Sequence, residues 1–155
     1  MENPHNVLMV EPLVSVGIPT YNRPVGLRRT LECITGQTYR NLEIIVSDNC
    51  SPGPETGAVV REFMAKDPRI QYYRQEVNKG PAYNFEFVIG KSTGEYFMWA
   101  ADDDEWEDSC IQKCLKEFFK NDSLVLCYSE AAKRSETSQQ ESILSSDITT
   151  VSMRK

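Results

Sequence analysis

Four consecutive acidic residues follow closely after an apolar run. Of all the residues in this sequence, they are by type and spacing the best candidates for binding a metal ion. Residues 96–100 read Tyr-Phe-Met-Trp-Ala, and after one alanine come Asp102, Asp103, Asp104 and Glu105. Adjacent carboxylates near 4 Å apart repel one another by roughly 1 to 4 kcal/mol per pair, depending on the local dielectric. A divalent cation relieves this repulsion. Hard oxygen ligands suit Mg²⁺ or Mn²⁺, which one or two carboxylates commonly hold together with the phosphates of a substrate.

The same acidic segment also fits a plainer structural role. Asp and Glu are favourable at the positively charged N-terminus of a helix, so residues 102–107 could be a solvated loop that precedes the next helix. The apolar run before them favours the functional interpretation, because ligands of open parallel sheets bind beyond the carboxyl ends of the strands.

Polar residues also follow two other apolar runs. Residues 13–18 lead into Pro19, Thr20 and Tyr21, and residues 42–46 lead into Asp48. The carboxyl ends of parallel strands meet at one edge of a sheet, so we expect these residues and the acidic segment to share one rim. Structural alternatives remain open, since a tyrosine can cover a sheet edge and Asp48 with its neighbouring asparagine suits a turn.

The hydrophobic pattern alternates between short apolar runs and helical spacing. Strands are predicted over residues 13–18, 42–46, 70–73, 96–100 and 124–128. Helices are predicted between them, beginning at Pro24, including residues 59–64, running from Pro81 to Gly90, and covering residues 111–119. Alternating strands and helices imply crossover connections, so the predicted fold is α/β, a doubly wound and mostly parallel sheet with helices on both faces.

Composition narrows the class of protein. The 155 residues are 40% hydrophobic and 26% charged, as in an ordinary globular domain. The formal net charge of −6 argues against a nucleic acid as partner, because such proteins neutralise phosphates with surplus Lys and Arg. A phosphate-containing ligand would therefore require a cation.

The ends of the chain and the cysteines complete the predicted organisation. Residues 1–12 are predicted to be an N-terminal extension, 13–128 the domain, and 129–155 a polar, loosely ordered tail, with the sheet ending after its fifth strand. No apolar run approaches the ~20 residues of a transmembrane helix and no signal peptide is evident, so we expect a cytoplasmic location, with peripheral membrane attachment as a variant. The five cysteines are scattered and predict reduced thiols.

Four blocks of sequence together resemble the inverting glycosyltransferases of family 2, which have the nucleotide-diphospho-sugar transferase fold called GT-A. The order of the four blocks makes the resemblance specific, and it covers roughly residues 13–128. The blocks are residues 14–23 (VSVGIPTYNR), residues 42–51 (LEIIVSDNCS), residues 78–80 (NKG) with Asn84, and residues 94–104 (GEYFMWAADDD).

The resemblance implies a binding site for the nucleotide of a nucleotide diphosphate-sugar, with uridine favoured. In this site Pro19, Thr20 and Tyr21 line the nucleotide, with Tyr21 near the base. Asp48 accepts a hydrogen bond from the edge of a uracil-type ring, and Asp102 lies near the ribose.

The resemblance also implies a metal and a phosphate contact. Asp103 matches the metal ligand of the family's acidic motif, with Asp104 beside it, and the ion is Mn²⁺ or Mg²⁺. Relatives often carry Asp where this chain has Ala101, so two direct protein ligands are not required. Relatives also often carry Arg where this chain has Tyr83, which leaves Lys79 as a weaker phosphate contact.

By resemblance, the reaction transfers a sugar from the donor to an acceptor hydroxyl, on a saccharide or a lipid-linked acceptor, with inversion. The catalytic base is unknown, because family members place it in a second half after further strands. An apolar edge left without that half predicts a homodimer. Two alternatives stay open: an inactive nucleotide-sugar-binding module or partial subunit, and, more distantly, a magnesium-dependent phosphoacceptor signalling domain.

Overall fold

The computed structural model describes residues 11–128 and the backbone of residues 131–134, 141–144 and 152–154. Strands and helices alternate through the first four pairs, as predicted. The elements are β1 (Val14–Thr20), α1 (Pro24–Thr35), β2 (Leu42–Asp48), α2 (Glu55–Met64), β3 (Ile70–Arg74), α3 (Pro81–Lys91), β4 (Tyr96–Trp99), α4 (Cys110–Lys120), β5 (Leu126–Cys127), β6 (Ala131–Arg134), β7 (Glu141–Leu144) and β8 (Ser152–Arg154).

The main sheet has the strand order β3-β2-β1-β4-β8-β5. Strands β1 to β4 pair in parallel, whereas β8 pairs antiparallel with both β4 and β5. Strands β6 and β7 form a separate antiparallel pair. The predicted α/β fold with a mostly parallel sheet is confirmed.

The far edge of the sheet differs in detail from the sequence prediction. A strand was predicted over residues 124–128, but β5 covers only two residues and does not pair with β4. The three-residue strand β8 lies between them. Strands β6, β7 and β8 are the described parts of the predicted tail, and the rest of that tail and residues 1–10 lie outside the described residues.

Helices cover both faces of the sheet, as the alternation predicted. On one face, Val16 and Ile18 of β1 belong to a large core that also contains Leu31 of α1 and Phe118 of α4. On the other face, Ile45 of β2 packs with residues of α3 and β4.

The close packing of α3 depends on a glycine in β1. A Cβ at Gly17 would lie 2.7 Å from ring and methyl carbons of Phe97 and Val88, which is closer than real Cβ contacts. The absence of a side chain at this position therefore lets α3 pack directly on β1.

A buried carboxylate joins the beginnings of three strands. Glu43 of β2 is 8% exposed and accepts hydrogen bonds from the Ser15 hydroxyl and from the backbone N–H groups of Thr93 and Gly94. The Thr93 hydroxyl donates to both carboxylate oxygens at 3.0 Å. Glu43 thus fixes the turn that leads into β4, the strand that precedes the acidic segment.

The stability of the fold is expected to depend on the ionisation of Glu43. Burial is the largest influence and raises its pKa, but the hydrogen bonds from Ser15, Thr93 and Gly94 together lower it below the ordinary value of 4.5. A carboxyl whose pKa is lower in the folded than in the unfolded state stabilises the fold above its unfolded pKa, and this contribution is lost as the pH falls through the folded pKa. In urea unfolding, the stability difference between wild type and Glu43→Gln should therefore shrink below about pH 4.5. A difference that does not change with pH would contradict this assignment.

Two further predictions from the sequence can be compared with the structure. The five cysteines are free, and Cys110 and Cys114 are buried on α4. Within the described part of the chain, no helix is both long enough and apolar enough to span a membrane.

Candidate functional site

The acidic segment lies in the loop between β4 and α4, and its first residue, Asp102, is hydrogen-bonded to the end of β1. Asp102 is 8% exposed, and its Oδ2 accepts a hydrogen bond from the Thr20 hydroxyl at 2.7 Å. The backbone N–H of Tyr21 also donates to this carboxylate. The predicted convergence of the ends of β1 and β4 is therefore present as direct contacts.

The second aspartate forms an ion pair across the rim. Asp103 is exposed, and its Oδ2 accepts from the Nη1 of Arg23. The same Nη1 lies 3.6 Å from Oδ1 of Asp102. One guanidinium group therefore lies beside both carboxylates.

The pKa values of two of the aspartates are raised. Burial is the largest cause of the raised pKa of Asp102, which Thr20 and Arg23 partly oppose. Burial also raises the pKa of Asp104, and the negative charges of Asp103 and Asp102 add to this rise. Both pKa values are thus raised mainly because burial disfavours the charged carboxylates, and a bound cation would lower both pKa values.

Helix α1 fixes the backbone of the acidic loop. The Thr30 hydroxyl donates to the carbonyl oxygens of Ala101 and Asp104, at 3.1 and 3.2 Å. A Cβ at Gly26 would lie 2.4 Å from the carbonyl oxygen of Asp102, a backbone atom that cannot rotate away. The loop therefore lies directly against the first turn of α1.

Asp48 ends β2 in a fully buried position. Its Oδ1 accepts from the backbone N–H and the hydroxyl of Ser51, at 2.8 and 2.6 Å. Its Oδ2 accepts from the Tyr72 hydroxyl at 2.9 Å and lies 3.7 Å from Nε of Arg74. Burial, followed by the hydrogen bond to Asp48, raises the pKa of Tyr72 to about 12, so the phenol keeps its proton at neutral pH. The protein thus uses the Asp48 carboxylate to shape its own loop.

The loops after β1 and β2 are bonded to each other. The Ser51 hydroxyl accepts from the backbone N–H of Asn22 at 2.8 Å, and the backbone N–H of Asn49 donates to the carbonyl of Thr20 at 2.9 Å. Asn22 and Cys50 have positive φ angles of 54° and 63°. Such angles are uncommon outside glycine and here mark two tight turns side by side.

Two asparagines attach α3 and the preceding turn to this rim. Asn84 donates to the backbone carbonyls of Thr20 and Ser47, at 3.3 and 2.9 Å. The side-chain Nδ2 of Asn49 donates to Asn78 and Gly80, at 2.9 and 3.0 Å. These bonds bring the N-terminus of α3 to the same rim as the acids.

An open cleft of about 410 Å³ lies at this rim. Among the predicted site residues, Pro19, Thr20, Tyr21, Asp102 and Asp103 line it, whereas Asp48, Lys79 and Asp104 are not part of its lining. The lining residues without a predicted role are Arg23, Asn49, Asn78, Pro81, Asn84, Phe85 and Ala101.

Lys79 makes its contacts outside the cleft lining. Its Nζ donates to the Tyr83 hydroxyl at 3.2 Å and lies 4.3 Å from the centre of the Tyr83 ring. Its backbone N–H donates to Asn49 at 3.0 Å. The predicted phosphate contact therefore requires a different rotamer of Lys79, whereas the Arg23 side chain already lines the cleft.

The acidic residues of the rim are compatible with a divalent cation that a ligand helps to coordinate. Among the described residues, no group of three or more His, Cys, Asp or Glu side chains is arranged to hold a metal ion. Asp102 and Asp103 nevertheless lie beside one positive group, the guanidinium of Arg23. Two carboxylates suit Mg²⁺ or Mn²⁺ when phosphate oxygens and waters supply the remaining ligands.

Comparison with known protein families assigns the chain. The family described as Glycosyl transferase family 2 matches residues 15–151, which is most of the sequence. The chain belongs to glycosyl transferase family 2. A similar curated protein is the GalNAc(5)-diNAcBac-PP-undecaprenol beta-1,3-glucosyltransferase of Campylobacter jejuni, which is 38% identical over 61% of this chain and 30% of its own length.

Solved structures have the same fold. Their sequence identity to this chain is low, so they are evidence for the fold and not for a shared function. S. aureus TarS in complex with UDP superposes with a TM-score of 0.72 at 22% identity, over 82% of this chain and 38% of that one. The mannosyltransferase PcManGT of Pyrobaculum calidifontis, in complex with GDP-Man and Mn²⁺, gives 0.70 at 22% identity, over 77% of this chain and 36% of that one. The predicted GT-A fold is confirmed, and the chain spans about a third of the length of these proteins.

Proposed function

We propose that this chain forms the donor-binding part of an inverting glycosyltransferase that uses a UDP-sugar and Mn²⁺ or Mg²⁺. The observation that carries the proposal is the position of Asp102, which Thr20 holds at the rim beside Asp103, facing the cleft. Membership of family 2 and the nucleotide complexes of the structural neighbours support it.

Four of the lining residues contact the nucleoside in this proposal. Pro19, Thr20 and Tyr21 line the nucleotide, with the exposed Tyr21 ring beside the base, and Asp102 lies near the ribose. Asp48 is fully buried and outside the cleft lining, and both of its oxygens already accept hydrogen bonds, from Ser51 and from Tyr72. We therefore propose that Asp48 mainly shapes the base end of the cleft.

The metal would be held by Asp103, with Asp104 beside it, and the phosphate oxygens of the donor. When bound, it would stabilise the charge of the departing diphosphate as a Lewis acid. The residues of this chain bind and orient the nucleotide around it. Lys79 is a further phosphate contact in the proposal, once its side chain leaves Tyr83.

The acceptor in the proposal is a hydroxyl of a saccharide or of a lipid-linked saccharide. The name of the C. jejuni relative includes PP-undecaprenol, which supports the lipid-linked form. Inversion requires a positioned base that removes the acceptor proton, and no described residue is assigned to that role.

Thermal unfolding with UDP tests the donor site. UDP at 100 times its dissociation constant should add about 2.7 kcal/mol of stability and raise the midpoint by several degrees. The shift should require Mn²⁺ and should be lost in Asp103→Asn, whereas Asp108→Asn, which changes another exposed aspartate, should keep it. The same measurement with GDP in place of UDP tests whether the site prefers uracil to guanine. A folded chain whose midpoint responds to no nucleotide would refute the proposal.

The second candidate function is a nucleotide-sugar-binding module without activity of its own. The observation that favours it is that no residue in the described part of the chain is assigned as the base that removes the acceptor proton. Incubation with a UDP-sugar and a saccharide acceptor separates the two functions, because product formation eliminates the binding module. UDP binding without any transfer favours it.

A further inference from the structure

Among the arginines whose side chains the structure describes, Arg23 is the one that lines the cleft. Its guanidinium forms an ion pair with Asp103, lies 3.6 Å from Asp102, and lines the cleft. The side chain is nevertheless 56% exposed. Arg29 lies in α1, is similarly exposed at 52% and pairs with Glu105 at 3.7 Å, but it does not line the cleft.

The backbone of Arg23 is fixed, although its side chain is exposed. The positive φ of Asn22 turns the chain directly before it, and the Ser51 hydroxyl holds the N–H of that residue. The carbonyl of Arg23 accepts from the N–H of Leu27 at 2.9 Å as α1 begins. The side chain can therefore change rotamer while its starting point stays at the rim.

A divalent cation and this guanidinium compete for the same carboxylate oxygens. The two positive groups repel each other, and each gains its favourable energy from the charge of Asp103. The diphosphate of a donor supplies a new anionic partner for the displaced group, and guanidinium binds phosphate oxygens through two parallel hydrogen bonds.

We propose that Arg23 is exchanged between two partners: it neutralises Asp103 and Asp102 in the ligand-free protein and binds the diphosphate of the donor when the metal takes its place. This inference rests on the proposed function. The exchange couples metal binding to nucleotide binding. The metal frees Arg23 to bind the diphosphate, and the diphosphate gives the displaced Arg23 a new anionic partner. Arg23 is then a donor-binding residue and also the group that keeps the metal from binding tightly alone.

Titration calorimetry with Mn²⁺, in the absence and presence of saturating UDP, tests the exchange. Arg23→Gln should bind Mn²⁺ alone several-fold more tightly than wild type, because its carboxylates have no internal cation. The factor by which UDP increases the Mn²⁺ affinity should fall about tenfold in this variant, within the range of coupling between two sites in one protein. Arg29→Gln, which removes a similarly exposed charge nearby, should behave as wild type.

The result that overturns the exchange is an Arg23→Gln variant that matches Arg29→Gln in both titrations. Failure of the proposed function looks different: wild type then binds no UDP at any Mn²⁺ concentration. In that case the Mn²⁺ titration without nucleotide still decides whether Arg23 competes for the carboxylates. Circular dichroism of both variants verifies that they are folded, as expected for two exposed side chains.

Discussion

Replacing Asp48 with alanine is expected to destabilise the fold by about 3 to 5 kcal/mol and to abolish UDP binding. The change removes the acceptor for two donors of Ser51 and for the Tyr72 hydroxyl. Each buried donor left without a partner costs about 1 to 3 kcal/mol. For a chain of this length the unfolding midpoint should fall by about 10 °C.

Thermal and urea unfolding measure the loss of stability. Three further variants are expected to lose less stability than Asp48→Ala. Asp48→Asn keeps one acceptor oxygen and should lose less stability than Asp48→Ala. Tyr72→Phe removes a single hydrogen bond and should cost about 1 kcal/mol. Asp108→Ala changes an exposed aspartate and should stay within about 0.5 kcal/mol of wild type. An Asp48→Ala variant with wild-type stability would show that the carboxylate does not hold the loop.

Replacing Glu43 with alanine is the second large change, and its effect on the cleft should be different. The Ser15 hydroxyl and the N–H and hydroxyl groups of Thr93 lose their acceptor, whereas the N–H of Gly94 still donates to the Ser15 oxygen at 2.8 Å. We therefore expect a loss of about 3 kcal/mol. Glu43 lies near the beginnings of the strands, whereas Asp48 ends β2 at the rim. The variant should therefore still bind UDP at temperatures where it is folded.

The midpoint and slope of urea unfolding, together with a UDP titration at low temperature, measure these two expectations. Glu95→Ala is the matched control, because this exposed glutamate follows the same turn. It should unfold as wild type does. A Glu43→Ala variant that is folded at the temperature of the titration and yet binds no UDP would contradict this expectation. It would show that the turn before β4 is required to position Asp102 and Asp103.

The elements that carry the site could be predicted from the sequence because their patterns are strong. Apolar runs and helical spacing gave the first four strand and helix pairs, and parallel strands bring their carboxyl ends to one edge. The bond between Thr20 and Asp102 is the direct result of that geometry.

Other features could not be predicted, for physical reasons. Strand β8 is held by backbone hydrogen bonds, which any sequence can make, and its three residues carry no apolar pattern. The ion pair of Arg23 depends on a rotamer and on a turn at Asn22, neither of which leaves a periodic signal. The burial of Asp48 depends on Tyr72 of the neighbouring strand, a contact between residues distant in the chain.

The turn at Cys50 has a consequence for the free energy of ligand binding. A left-handed backbone costs a residue with a Cβ about 1 to 2 kcal/mol, so the isolated segment would not keep this shape. Asp48, Ser51 and Asn22 impose it through the hydrogen bonds that join the two loops. The entropy of ordering the backbone of these two loops is therefore lost during folding and not when a nucleotide binds. Cys50→Gly would remove the local backbone cost and the weak hydrogen bond from the Cys50 thiol to the carbonyl of Glu76, while the bonds between the two loops stay in place.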